Sequence, residues 1–304
     1  MNVVINLNKP ADISSQQAVT RVKRLLGVRR AGHTGTLDPL ATGVLIICLN
    51  EATKIARFLP DLEKEYIFRL KLGEKTDTYD STGRIIEKKN PAAVHEDDVQ
   101  RVLSEFLGYI RQTPPMFSAV KKGGVPLYKL ARKGMTVERA ERTVRIHQLE
   151  LLSFQSPYVD VRATCSKGTY IRTLCDDIGD RLGTGAHMTS LTRVRVGNFK
   201  IQDAATPEEL QRGAESFFSI DEALWYFREL TLDHDSCKKL RNGIPISISS
   251  AAPFLSREGS DGAMGSMSSG TPEYVRMKNP KHELFGIGVM VGDTLRTDRL
   301  FQFP

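Results

Sequence analysis

A chain of 304 residues, 40% hydrophobic and 26% charged, has the composition of a folded globular protein with room for one large domain or two ordinary ones. Its net charge of +7 points to an anionic partner, and no apolar run reaches membrane-spanning length. Four scattered cysteines without a C-x-x-C pair read as reduced and structural, and six histidines without H-E-x-x-H spacing argue against a zinc site. An N-terminus with no basic segment ahead of a long apolar core places the expected location in the cytoplasm.

In chain order, Val3 to Leu7 reads as a short strand that breaks at Lys9-Pro10. Ser14 with Gln17 forms a capping-box pattern, and Val19, Val22, Leu25 and Leu26 recur at helical spacing until Gly27. The stretch Gly32-His33-Thr34-Gly35-Thr36-Leu37-Asp38-Pro39-Leu40-Ala41-Thr42-Gly43 follows. Its three glycines permit tight turns, and Pro39 pushes Asp38 toward extended dihedrals, so the loop displays one carboxylate. Val44 to Leu49 is a continuous apolar run, the pattern of a strand buried on both faces. Asp38 therefore sits on a rigid support, as a functional group would, although a turn aspartate that caps a neighbouring helix has the same local pattern.

Lys54 to Leu59 reads as one or two helical turns stopped by Pro60. Lys64 to Leu72 alternates as a half-buried strand, with Tyr66, Phe68, Leu70 and Leu72 on one face; Tyr66 by itself is most simply a core aromatic. The polar run from Thr76 to Gly83 holds Asp77 and Asp80 in turn chemistry, without the ligand spacing of a calcium loop. Val99, Val102, Leu103, Phe106 and Leu107 follow helical spacing behind an acidic first turn. From Arg111 to Lys133 basic and aromatic residues alternate in a loop, as in surfaces that track a phosphate backbone and stack on bases.

Val144 to Phe154 and Tyr158 to Cys165 read as paired strands. Ser166-Lys167-Gly168-Thr169-Tyr170-Ile171-Arg172-Thr173-Leu174 opens a helix that carries Arg172 in its first turn, where the helix dipole disfavours a cation. A specific anionic partner would account for that placement, and an ordinary surface arginine is the alternative. Leu191 to Phe199 reads as a basic strand. From about residue 231 the composition shifts: a short helix, then Ile244-Pro245-Ile246, Tyr274 to Met277, Leu284 to Val291 and Leu295 to Phe301 as short strands of a small β-barrel. Between them, residues 249–271 are rich in Ser, Gly and Ala and are expected to be mobile.

Taken together, Asn8-Lys9-Pro10, the stretch from Gly32 to Gly43, Lys64-Glu65-Tyr66, Ser166 to Leu174, and Ala186-His187-Met188 through Leu191 resemble the TruB family of tRNA pseudouridine-55 synthases. The resemblance implies an α+β fold, a mixed, largely antiparallel sheet flanked by helices, over residues 1–230, with an RNA-gripping insert at about 73–139. Residues 231–304 resemble a PUA-like RNA-binding domain. The family resemblance further implies that Asp38 is a nucleophile that detaches uracil from its sugar so that the base can rejoin through carbon, with no metal and no cofactor. Arg172 would pair with Asp38. Tyr66 would stack on the flipped base and is a candidate for proton transfer, and His33 would fill the gap left in the RNA. Lys9, Tyr170 and Leu191 would shape the pocket, with Lys9 touching phosphate or bracing the loop. The implied substrate is the T-arm stem-loop of tRNA, bound by a stand-alone monomer of bacterial type that needs no protein partner.

Two departures stand out: Ala11-Asp12 where glycine is expected after the Lys-Pro pair, and Thr192 where arginine is frequent. Two other readings remain open at this point. One is a metal-dependent nuclease or phosphatase using Asp38, Asp77 and Asp80; the other is a non-catalytic RNA-binding or tRNA-folding protein.

Overall fold

The computed structural model describes residues 1–248 and 273–303. The segment 249–271, expected to be mobile, lies outside the described residues. In chain order the elements are β1 (Val3–Lys9), α1 (Ser15–Leu25), β2 (Ala31–His33), β3 (Thr42–Leu49), β4 (Lys64–Leu72), β5 (Glu74–Thr76), β6 (Ile85–Lys88), α2 (Glu96–Glu105), β7 (Gly108–Gln112), β8 (Lys121–Lys122), β9 (Val125–Pro126) and α3 (Leu127–Ala131). There follow β10 (Arg142–Gln155), β11 (Tyr158–Cys165), α4 (Ile171–Arg181), β12 (Ala186–Val196), β13 (Phe199–Lys200), α5 (Pro207–Gln211), β14 (Phe217–Ser219) and α6 (Ile220–Ala223). The chain ends with β15 (Arg228–Thr231), α7 (His234–Arg241), β16 (Ile246–Ser247), β17 (Glu273–Lys278), β18 (Leu284–Val291) and β19 (Thr294–Leu300).

The first sheet runs β14-β1-β3-β12-β4-β11-β10-β7, with β2 paired to β3 and β13 to β12. Its pairs are antiparallel except β3 with β12, where Thr192 lies beside Thr42 and Arg193 beside Gly43. This is the expected mixed, largely antiparallel sheet with helices. The unbroken apolar run of β3 has a simple cause. Leu45, Ile47 and Leu49 enter a core shared with α1 and α4, while Val44, Ile46 and Cys48 enter a second core that includes Leu284, Ile287 and Phe301 of the C-terminal unit. Each fully buried side chain of this kind contributes about 1.5–3 kcal/mol, an upper estimate given residual structure in the unfolded chain. In β4 the alternation is real: Tyr66, Phe68, Leu70 and Leu72 are buried, and Arg69 is exposed.

The second sheet runs β15-β17-β18-β19-β16 and encloses its own core of Leu230, Leu240, Val275, Met277, Phe285 and Leu295. It is the expected small C-terminal β unit, curled as a half-barrel, and its first strand begins at Arg228. Two local expectations need correction. The Lys54 to Leu59 helix is a pair of 3₁₀ turns, Asn50–Ile55 and Leu59–Asp61, with Pro60 inside the second, because the first turn of a helix needs no N–H from proline. The basic strand expected from Leu191 begins at Ala186 and ends at Val196. The four cysteines are buried free thiols, and burial pushes the Cys48 thiol up to about 12.

Candidate active site

The loop between β2 and β3 is held from three sides. From α1, the Ser15 hydroxyl accepts from the Leu37 N–H (2.8 Å) and donates to the Leu37 carbonyl (3.0 Å). From the end of β1, the Lys9 ammonium donates to the carbonyls of Pro10 (2.7 Å), Ile13 (2.8 Å) and Pro39 (3.2 Å). From β12, the Arg193 guanidinium donates to the carbonyls of Val44 (2.7 Å) and Gly35 (3.1 Å). Of the three glycines from Gly32 to Gly43 only Gly43, at the start of β3, needs its lack of a side chain: its φ is +98°, and a Cβ there would lie 2.3 Å from the Arg193 carbonyl oxygen. Asp38 is thus presented on a braced loop.

Its partner comes from α4. Arg172 Nε donates to Asp38 Oδ2 (2.8 Å) and Nη2 to Asp38 Oδ1 (3.1 Å), a two-pronged fork. The same guanidinium donates to the carbonyls of Thr78 (3.1 Å) and Phe117 (2.8 Å), and Nη1 stands 3.6 Å from Asp80 Oδ2. The cation at the helix start is therefore enclosed by two carboxylates and two carbonyls, which outweigh an unfavourable helix dipole of about 0.3–1 kcal/mol. The turn-cap reading of Asp38 fails, because both of its carboxylate oxygens face Arg172.

Tyr66 lies across from Arg193 in the pairing of β4 with β12. It is 8% exposed, and burial pushes its phenol up, so the hydroxyl is neutral near pH 7. The charges of Arg193 and Asp38 both reach it. His33 ends β2; burial and then Arg193 push its imidazole down, and its Nδ1 is buried without a hydrogen-bond partner. Leu191 is buried on β12 opposite Phe68 and shares one core with Tyr66 and Leu37. Tyr170 caps α4 through its backbone: the Gln112 side chain accepts from its N–H (3.0 Å) and donates to its carbonyl (3.3 Å). Lys9 is 0% exposed, with its three protons directed at carbonyls, and burial pulls it down to about 8 despite the nearby Asp38. Of its two expected tasks, the structure supports bracing.

The family-model description "TruB family pseudouridylate synthase (N terminal domain)" matches residues 23–171, and "tRNA pseudouridylate synthase B C-terminal domain" matches residues 172–236. The tRNA pseudouridine synthase B of Pelotomaculum thermopropionicum is 44% identical over 263 residues, spanning 83% of this chain and 83% of that protein. The protein of that name from Haemophilus influenzae (strain PittEE) is 39% identical over 98% of this chain and 94% of its own length. The chain belongs to the TruB family. A chain of a Cbf5-Nop10-Gar1 complex has the same fold, with TM-score 0.75 and 26% identity over 99% of this chain and 85% of that one. An H/ACA RNP bound to a substrate RNA containing 2'-deoxyuridine gives TM-score 0.73 at 24% identity, over 99% of this chain and 85% of that chain.

Both departures from the TruB pattern have local accommodations. Asp12 adopts φ +63°, the left-handed conformation that glycine favours and aspartate tolerates, and its N–H bonds the Pro39 carbonyl at 2.9 Å. The Thr192 hydroxyl meets that of Thr42 at 2.9 Å where β12 lies beside β3. Arg193 and Gln112 carry no local signal of a site role, and Asp80, a candidate only in the metal reading, gives no sign that it faces Arg172. The turn chemistry expected of Asp80 is present, since its Oδ1 accepts from the Thr78 and Thr82 hydroxyls (2.8 and 2.6 Å), but its other oxygen faces Arg172. The acids of the metal reading are divided: Asp77 accepts from the Arg84 N–H at 2.8 Å, while a guanidinium stands between Asp38 and Asp80. Among the described residues no helix is long and apolar enough to cross a membrane.

Proposed function

We propose that the protein converts one uridine in the T-arm of tRNA, position 55 of the family's name, to pseudouridine, with Asp38 as the nucleophile. The observation that carries this reading is the Asp38–Arg172 fork on a braced loop beside Tyr66, in a chain of the TruB family. The names of its relatives, tRNA pseudouridine synthase B, support tRNA as the substrate. The target base leaves the RNA stack, at a cost of a few kcal/mol, and His33 fills the vacated space with a neutral ring. Asp38, oriented by Arg172, attacks and its carboxylate bonds to the nucleotide; the bond from sugar to N1 breaks, the uracil turns, a bond from the sugar to C5 forms, and the Asp38–nucleotide bond breaks to return the free carboxylate. The C5 proton leaves and N1 gains one, so the atoms balance without a cofactor. Tyr66 stacks on the base and serves the late proton step, and Tyr170, Leu191 and Lys9 keep the pocket's shape.

The domain reading belongs to the same proposal: residues 1–230 for catalysis, the insert at about 73–139 for gripping RNA, and 231–304 as a PUA-like RNA-binding unit. The enzyme works alone as a cytoplasmic monomer. The test is incubation with an unmodified T-arm stem-loop in EDTA, followed by carbodiimide treatment and reverse transcription. A stop at one uridine is the expected result. Unmodified RNA would overturn the proposal, and cleaved RNA in the absence of EDTA would revive the nuclease reading.

A further inference from the structure

The loop from residue 113 to 141 leaves the edge strand β7 and returns at β10, and the backbone pair Gln112 with Arg142 closes its base. Gln112 is 2% exposed, and its amide faces the Tyr170 backbone as a second strand would, one acceptor to the N–H and one donor to the carbonyl. A primary amide serves both groups at once, as the acceptor for the N–H and as a second donor to a carbonyl that also takes the Leu174 N–H (3.0 Å); a carboxylate lacks the donor and an apolar side chain lacks both. Two residues after Tyr170, Arg172 donates through Nη2 both to Asp38 Oδ1 and to the carbonyl of Phe117, five residues after Gln112. The departing limb of the insert is therefore fastened to α4 at two points, one of which is the nitrogen that holds the carboxylate.

We infer that Gln112 is a positioning residue, which sets the register of the RNA-gripping insert against Tyr170 and Arg172 and so couples RNA contact to the orientation of Asp38. The inference rests on the proposed function. With the amide gone, the Tyr170 N–H loses its acceptor while its carbonyl keeps the Leu174 N–H (3.0 Å), the start of α4 and the Phe117 carbonyl drift relative to each other, and the shared Nη2 can no longer serve both acceptors. RNA contacts made by the exposed insert side chains remain, so chemistry suffers more than binding.

The test compares wild type, Gln112→Leu and Gln112→Glu on a T-arm stem-loop, with single-turnover pseudouridine formation at saturating enzyme and Kd by filter binding. Gln112→Leu is expected to slow the single turnover by about 10- to 100-fold, the size of effect that a small misplacement of reacting groups produces. Its Kd should stay within about threefold of wild type, so that the loss falls on the chemical step. Gln112→Glu keeps the acceptor for the Tyr170 N–H and should fall between the two; if Gln112→Leu does not fold, a slowed turnover at unchanged Kd in the glutamate variant supports the inference. A wild-type rate in a folded variant, or a loss of affinity equal to the loss of rate, overturns it. Pseudouridine formation by wild type in the same assay is the separate check on the proposed function.

Discussion

Replacing Arg172 with lysine keeps the positive charge and removes the geometry. The guanidinium reaches Asp38 through two nitrogens and still serves the carbonyls of Thr78 and Phe117, four acceptors spread around a plane. An ammonium is a point with three donors and a shorter reach, so it can follow Asp38 or the carbonyls, not both. Each buried acceptor left without a donor costs about 1–3 kcal/mol. The Asp38 side chain is 31% exposed, which lets water relieve part of that cost. A net loss of roughly 2–4 kcal/mol follows, and at about 2–4 °C per kcal/mol the melting temperature should fall by roughly 4–16 °C. The chemical step should fall further, by about 100-fold, because the carboxylate is no longer held in one orientation. Thermal melting by circular dichroism reads the first quantity, and single-turnover pseudouridine formation beside filter binding reads the second. A near-wild-type rate in Arg172→Lys, or a loss of RNA affinity as large as the loss of rate, would refute the role given to the fork.

Tyr66→Phe keeps the ring that stacks on uracil and deletes a hydroxyl that is neutral near pH 7, so product formation should drop by about 10²- to 10⁴-fold with little change in Kd; an unchanged rate would remove Tyr66 from proton transfer. Lys9 gives a pH dependence of known sign. Its folded value of about 8 lies below the ordinary 10.5, so between these values the unfolded chain holds more protons and stability rises with pH. The cost of burying the ammonium is fully present below about pH 8 and is relieved as pH rises toward 10.5. Urea unfolding at about pH 7.5 and 9.5 should show wild type gaining stability relative to Lys9→Met; Lys64, also pulled to about 8 by burial, contributes equally to both proteins and cancels. Parallel pH profiles for the two would contradict the buried-ammonium account.

What could be read in the sequence was what local pattern encodes. The capping box at Ser14, the alternation of Lys64 to Leu72 and the doubly buried run of Val44 to Leu49 each follow from side chains close together in the chain. Asp38 and Arg172 each stand out locally, as a displayed aspartate and a cation at a helix start, but their pairing came only from the resemblance to the TruB family. Arg193 and Gln112 gave no such signal, and Asp80 pointed only to a metal. Arg193 meets Tyr66 and the Gly35 loop only through the register of β12 against β4 and β3, pairings between segments more than 100 residues apart. Gln112 matters because a loop root happens to lie against a helix start, and a lone glutamine at a strand end reads as surface. The expectation for Lys9 was open between phosphate and loop, and three carbonyls around one buried nitrogen favour the loop.

The most direct measurement of the central claim is tritium release from T-arm RNA labelled at C5 of uracil, with wild type and Asp38→Asn compared at equal RNA occupancy. The asparagine fills the same place without a nucleophilic carboxylate. The account predicts release of one tritium per RNA with wild type, and none above background with Asp38→Asn at a similar Kd. Release by Asp38→Asn at a rate within about tenfold of wild type would contradict it, since loss of a covalent nucleophile leaves far less activity than that.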